Sequence, residues 1–233
     1  LAEHVRYLFV PGGGFEFFPK EEIAVALDEQ TAWLDGYVRA EADRRGVQPW
    51  EVYSLINSHY WDAAVIAVEL IRGWRDDRAA MLLAELCADE VPAGVLTREH
   101  ETRRQTALGG QFPYHVGRVL LAARGLSDPT RARKTGEDFL ASRDPTSRWK
   151  AALAGVDHHV WTPHSLGALK EDNFRNKANT AVRPLQFCQR RNHERAICAR
   201  VGAFASTSAE IGERLHTHYD VALDHIFDFP PCV

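Results

Sequence analysis

The chain has no run approaching about 18 consecutive apolar residues, so no membrane-spanning helix is expected. It has no excess of basic charge. The 28 lysines and arginines face 32 aspartates and glutamates, and the net charge is −4. That balance argues against a nucleic-acid partner, because such binders carry a basic domain or face. Cysteine is sparse: Cys87, Cys188, Cys198 and Cys232 form no C-x-x-C pair and no zinc-finger spacing. Free thiols in a reducing cytoplasm are the simplest reading. The first residues, Leu1-Ala-Glu-His-Val-Arg6, lack the basic start and long apolar core of a signal peptide. No internal repeat and no low-complexity tract is found. Strand signals are almost missing, and Tyr7–Val10 is the one plausible short strand.

What is present is helical periodicity on an ordinary globular composition, 45% hydrophobic and 26% charged over 233 residues. Three glycines, Gly12 to Gly14, break an aromatic N-terminal stretch, so residues 1–18 are expected to form a docking arm. Pro19 opens a helix with Glu21 and Glu22 in its first turn, and Arg44-Arg45 followed by Gly46 close it. From Pro49, the residues Val52, Leu55, His59, Ala63, Ile66 and Leu70 keep a helical seam, which places His59 mid-helix and buried. A shorter helix is expected from Asp76-Asp77. Thr97 to Thr106 read as a solvated face or mobile segment. Another helix runs from Pro113 to Arg124, ended by Gly125. Ser127-Asp-Pro and Asp144-Pro145 start two more amphipathic pieces. Gly167 to Thr180 read as a surface connector. Ile211, Leu215, Tyr219, Leu223 and Ile226 make a last seam. The pattern predicts an all-α protein: one helical bundle over residues 19–233.

Histidine is the residue type with chemistry to assign, with eleven in the chain. His193 has Ala196, Ile197 and Val201 at helical offsets, which puts its imidazole on an apolar face. A buried histidine satisfied by one hydrogen bond and a metal ligand both fit that placement. His59 fits a core histidine or a pocket residue. Tyr114, His115 and Arg118 are polar groups on an otherwise apolar helix, so His115 or Arg118 could face a substrate. Asp157-His158-His159-Val-Trp161-Thr-Pro-His164 offers imidazole and carboxylate donors suited to zinc, iron or nickel. Its spacing matches no established ligand motif. A pocket-lining loop is the favoured reading there.

The order His193, then Arg200-Val-Gly202, then the hydroxyl loop Ala203-Phe-Ala-Ser-Thr-Ser208, then a helix with Ile211 and Leu215, resembles the C-terminal signature of the tryptophan dioxygenase superfamily. Leu55-Ile-Asn-Ser-His59-Tyr-Trp-Asp62 resembles the segment of that superfamily that carries the distal-pocket histidine. The loop lacks the glycine-rich form of true tryptophan dioxygenases, and a substrate-carboxylate arginine has no clean counterpart near Gly109 to Arg118. The chain is therefore more similar to the smaller haem-dependent aromatic oxygenases, which include bacterial tyrosine hydroxylases.

That resemblance implies a tryptophan dioxygenase-like helical fold with non-covalent haem b on His193. It implies catalytic roles for His59 and His115. It implies a substrate pocket of Tyr60, Trp61, Phe112, Phe204, Ser206, Thr207 and Ser208. A haem iron held by one histidine keeps its sixth position open. The implied reaction is hydroxylation of an aromatic amino acid, L-tyrosine to L-DOPA, with oxygen or hydrogen peroxide, in a biosynthetic pathway such as that of an antibiotic. A cytoplasmic homo-oligomer is expected. Three alternatives stand beside it: a tryptophan or indole oxygenase, a non-enzymatic helical binding module, and a non-haem metalloenzyme using His158, His159 and His164.

Overall fold

A computed structural model describes residues 20–96, 109–175 and 187–229. The arm expected over 1–18, the strand expected over Tyr7–Val10, the polar stretch 97–106 and Cys232 lie outside the described residues. In chain order the main elements are α1 (Lys20–Arg45), β1 (Ile56–His59), α2 (Tyr60–Cys87), α3 (Phe112–Ala123), α4 (Pro129–Arg143) and α5 (Arg148–Ala154). After these come β2 (His159–Thr162), α6 (Gly167–Arg175), α7 (Phe187–Cys198), β3 (Ala203–Ser206), α8 (Ala209–Tyr219) and β4 (Ile226–Asp228). The chain divides into two compact units, residues 1–70 with 158–233, and residues 71–157. No helix of the described residues is long and apolar enough to cross a membrane.

The protein is mostly helical, but the all-α expectation is corrected by a four-stranded sheet in the first unit. Its order is β1-β2-β3-β4 and every neighbouring pair is parallel. Ser58 lies opposite Trp161, Trp161 opposite Phe204, and Phe204 opposite Ile226. Parallel crossovers are right-handed almost without exception. Strands added in sequential order by such crossovers put their helices on one face. The core agrees: Trp161 and Phe204 pack with Trp61 and Ala64 of α2, Ile197 of α7, and Ile211 and Leu215 of α8. The strands have three or four residues each. Such segments are too short for a period-two pattern to stand out.

Several helix boundaries move as a result. Pro49–Glu51 is a single 3-10 turn, and His59 is the exposed last residue of β1 rather than a mid-helix core residue. The seam from Val52 to Leu70 was a helical spacing laid across a turn and a strand. Residues 76–87 are the end of α2, not a separate helix. Gly167–Arg175 is a helix rather than a connector. The last seam stops at Tyr219, where Asp220 turns left-handed with φ +55°, and Ile226 belongs to β4. The bounds of α1 agree with its start and stop signals, including Gly46 at φ +68°.

The second unit is helical. The end of α2 packs with α3, α4 and α5 around Leu83, Cys87, Phe112, Val116, Val119, Leu140 and Leu153. Asp128 caps α4 by accepting from the Thr130 and Arg131 amides, as the sequence suggests. Helices α3 and α4 cross at Gly117 and Gly136. A Cβ on Gly117 would lie 1.7 Å from the Ala132 carbonyl oxygen, and one on Gly136 1.7 Å from that of Pro113. Two bare backbones touch there, and no larger residue fits.

Candidate functional site

Open parallel sheets bind ligands beyond the carboxyl ends of their strands. Here those ends are His59, Thr162, Ser206 and Asp228. Two imidazoles meet at this edge. Nδ1 of His59 lies 2.8 Å from Nε2 of His164, although the residues are 105 apart in sequence. The rings stack with centroids 5.1 Å apart, and the Tyr60 ring tilts against His164 at 4.8 Å. All three side chains are exposed. A hydrogen bond between imidazoles needs one donor and one acceptor, so the two ring nitrogens take opposite roles in it. Partial burial, and then the neighbouring His59, lower the pKa of His164.

Tyr60 joins β1 to α2 with φ +65°, the left-handed region that a non-glycine residue seldom adopts. The buried Trp161 holds it there by donating Nε1–H to the Tyr60 carbonyl at 3.0 Å. Backbone outliers of this kind persist where surrounding contacts over-determine them, and they cluster at functional sites.

The loop that carries His164 is gripped on both sides. Thr207 Oγ1 donates to the Pro163 carbonyl at 3.4 Å. Arg190 Nη2 donates to the Ser165 carbonyl at 2.7 Å and to Ser165 Oγ at 3.1 Å. Arg190 Nε donates to Glu194 Oε1 at 2.8 Å. The Glu194 carboxylate also accepts from the Gly167 amide, at 2.9 and 3.0 Å, and from the Tyr219 hydroxyl. Arg190 is 2% exposed and Glu194 is 0% exposed. Burial, and then the Glu194 charge, push the Tyr219 phenol well above its ordinary pKa.

These bonds show which face of α7 is buried. Phe187, Arg190, Glu194 and Ile197 point inward. The face predicted through His193, Ala196 and Ile197 is turned by about one residue, roughly 100°. Ala196 is exposed and His193 half-buried. The signal that sequence reading missed is the Arg190–Glu194 pair at i, i+4, whose charges hid an inward seam.

Beneath the edge, Ser58 Oγ and His159 Nε2 are 2.7 Å apart and both residues are buried. Burial drives the His159 pKa down to about 4. The unfolded chain, with an ordinary value near about 6.5, therefore binds more protons than the folded chain between those values. Stability is fully present above about pH 6.5 and falls by about 3 kcal/mol as the pH drops to about 4. Denaturant melts of wild type and His159→Gln across that range check this. The variant should lose most of the slope.

The residues implied as a haem site are distributed over both compact units. Trp61 and Phe204 are 4% and 1% exposed and fill the core of the first unit. The Ser206 hydroxyl donates to the Ser208 carbonyl at 2.6 Å, and Ser208 Oγ caps α8 by accepting from the Ile211 amide at 3.3 Å. Residues 203–206 are the strand β3, not a substrate-covering loop. Phe112 and His115 belong to the other compact unit, where both are buried. The His193 ring stacks on Trp61 with centroids 5.4 Å apart. Of the residues implied, His193 is the one that would hold haem iron, and its half-buried ring carries Trp61 on one face. Among the described residues no group of three or more His, Cys, Asp or Glu side chains is placed to hold a metal ion. His158 precedes β2 and is exposed, whereas His159, the first residue of β2, is buried with its Nε2 against Ser58 Oγ. Of the named residues, the edge gathers His59, Tyr60 and His164, and Thr207 reaches their loop.

Compared with protein-family models, with curated proteins and with solved structures, the chain matches none.

Proposed function

We propose that the carboxyl edge of the sheet is the active site of a small-molecule hydrolase, with His59 and His164 as its acid–base couple. The observation that carries this is the 2.8 Å contact between the two exposed imidazoles. One ring accepts a proton from an attacking water. The other gives one to the leaving oxygen as the ester bond breaks and the bond to the water oxygen forms. A coupled pair suits this work because one ring holds the proton that the other lacks. Tyr60 supplies an aromatic wall beside His164. Helices α2 and α8 start directly after β1 and shortly after β3, so their positive ends favour an anionic group on the substrate. The start of α6 is already engaged by a carboxylate of this chain, Glu194.

The test is a panel of phosphate and carboxylate esters. For whichever ester the wild type turns over, His59→Gln and His164→Asn should each lower the rate by about 10²- to 10⁴-fold. Circular dichroism should show unchanged helix content. A folded variant that keeps wild-type turnover would remove that histidine from the mechanism.

Haem-dependent hydroxylation of an aromatic amino acid is the competing proposal. It rests on the resemblance alone and needs iron on His193. A Soret band in the purified protein that is lost in His193→Ala would favour it. A protein that stays colourless after haem is supplied would end it.

A further inference from the structure

We propose that Arg190, Glu194 and Tyr219 are positioning residues for His164, and that their buried network seats the loop between β2 and α6 against the end of β1. The inference rests on the acid–base reading of His59 and His164. Three observations carry it. The network grips the loop backbone at two points two residues apart, the Ser165 carbonyl through Arg190 and the Gly167 amide through Glu194. Those points bracket Leu166, which is fully buried in the core, so the loop is pinned at three successive residues directly after His164. The packing also leaves no slack. A Cβ on Gly167 would lie 3.1 Å from Glu194 Oε2 and 3.2 Å from Arg190 Cγ and Cδ.

A buried ion pair seldom adds net stability over an apolar replacement of the same volume. What this one supplies is geometry. A charged pair with directed donors and acceptors fixes the loop to within a hydrogen-bond length, which leucines in the same space would not do. His59 ends β1 and His164 lies in the loop two residues beyond β2, so the place of this turn sets how His164 meets His59.

The test uses the full chain and two variants of different severity. Gly167→Ala keeps every charge and adds one methyl group between the loop and its clamp. Arg190→Lys removes the fork that reaches both Ser165 and Glu194. Nuclear Overhauser contacts of the His164 ring with the Tyr60 and His59 rings are read in each, with contacts between Ser58 and His159 as an internal control. The expected result is a several-fold loss of the His164 contacts in any variant with wild-type helix content, and an unchanged control. His164 contacts at wild-type strength in folded Gly167→Ala, with stability alone reduced, overturn the positioning role and leave the acid–base reading standing. If the wild type itself shows no His59–His164 contact, both fall together.

Discussion

Glu194→Ala is expected to destabilise the unit of residues 1–70 and 158–233 by about 3–5 kcal/mol, among the largest single-residue effects in the molecule. The reason is what remains behind. Arg190 is 2% exposed, and its Nε loses the carboxylate 2.8 Å away. The Gly167 amide and the Tyr219 hydroxyl lose their acceptor in the same step. A buried guanidinium that loses its carboxylate costs more than the pair ever contributed. The double variant Arg190→Met with Glu194→Leu removes the stranded charge and should recover most of the loss. Urea melts of Glu194→Ala, of the single variants Arg190→Met and Glu194→Leu, and of the double variant check this. A double variant as unstable as the sum of its parts would show that the network stabilises the fold outright.

Gly117→Ala and Gly136→Ala are each expected to cost about 3 kcal/mol or more in the unit of residues 71–157, at or beyond the usual range for overpacking. Each new methyl group would meet a backbone carbonyl oxygen at 1.7 Å, and a backbone does not swing aside as the end of a long side chain does. The only relief is to part α3 from α4, which opens the core that Phe112, Val116 and Leu140 close. Gly36 in α1 and Gly73 in α2 are the controls. Nothing lies within 4 Å of a Cβ on either. Alanine there should stabilise by about 0.5–1 kcal/mol through helix propensity. Thermal melts that rank the four variants otherwise would contradict the close crossing.

The helices were largely legible in the sequence because their ends carry local chemistry. The Arg44-Arg45-Gly46 stop of α1 and the Asp128 cap of α4 are read within a few residues. The sheet was not legible. Each strand is three or four residues long, and β1 reads Ile56-Asn-Ser-His59, with one apolar residue. Pairing partners lie about 100 residues away for β1 and β2, so nothing local marks them. A helical spacing from Val52 to Leu70 arose by chance across that strand and drew His59 inside the fold. On α7 the error had an electrostatic cause. Arg190 and Glu194 satisfy each other in the core, so the inward face looked polar and the half-buried His193 face looked apolar. The site was legible in part. His59, Tyr60 and His164 were each named for other reasons, but only the parallel pairing of β1 with β2 brings them to one edge.

The most direct test of the site is a long-range proton–nitrogen correlation spectrum of the histidine rings, recorded while inorganic phosphate is added. The account predicts that His59 Nδ1 and His164 Nε2 appear as one protonated and one bare nitrogen joined by a hydrogen bond. It also predicts that both rings shift together and saturably with phosphate. Two rings that titrate independently, neither moved by phosphate, would contradict it.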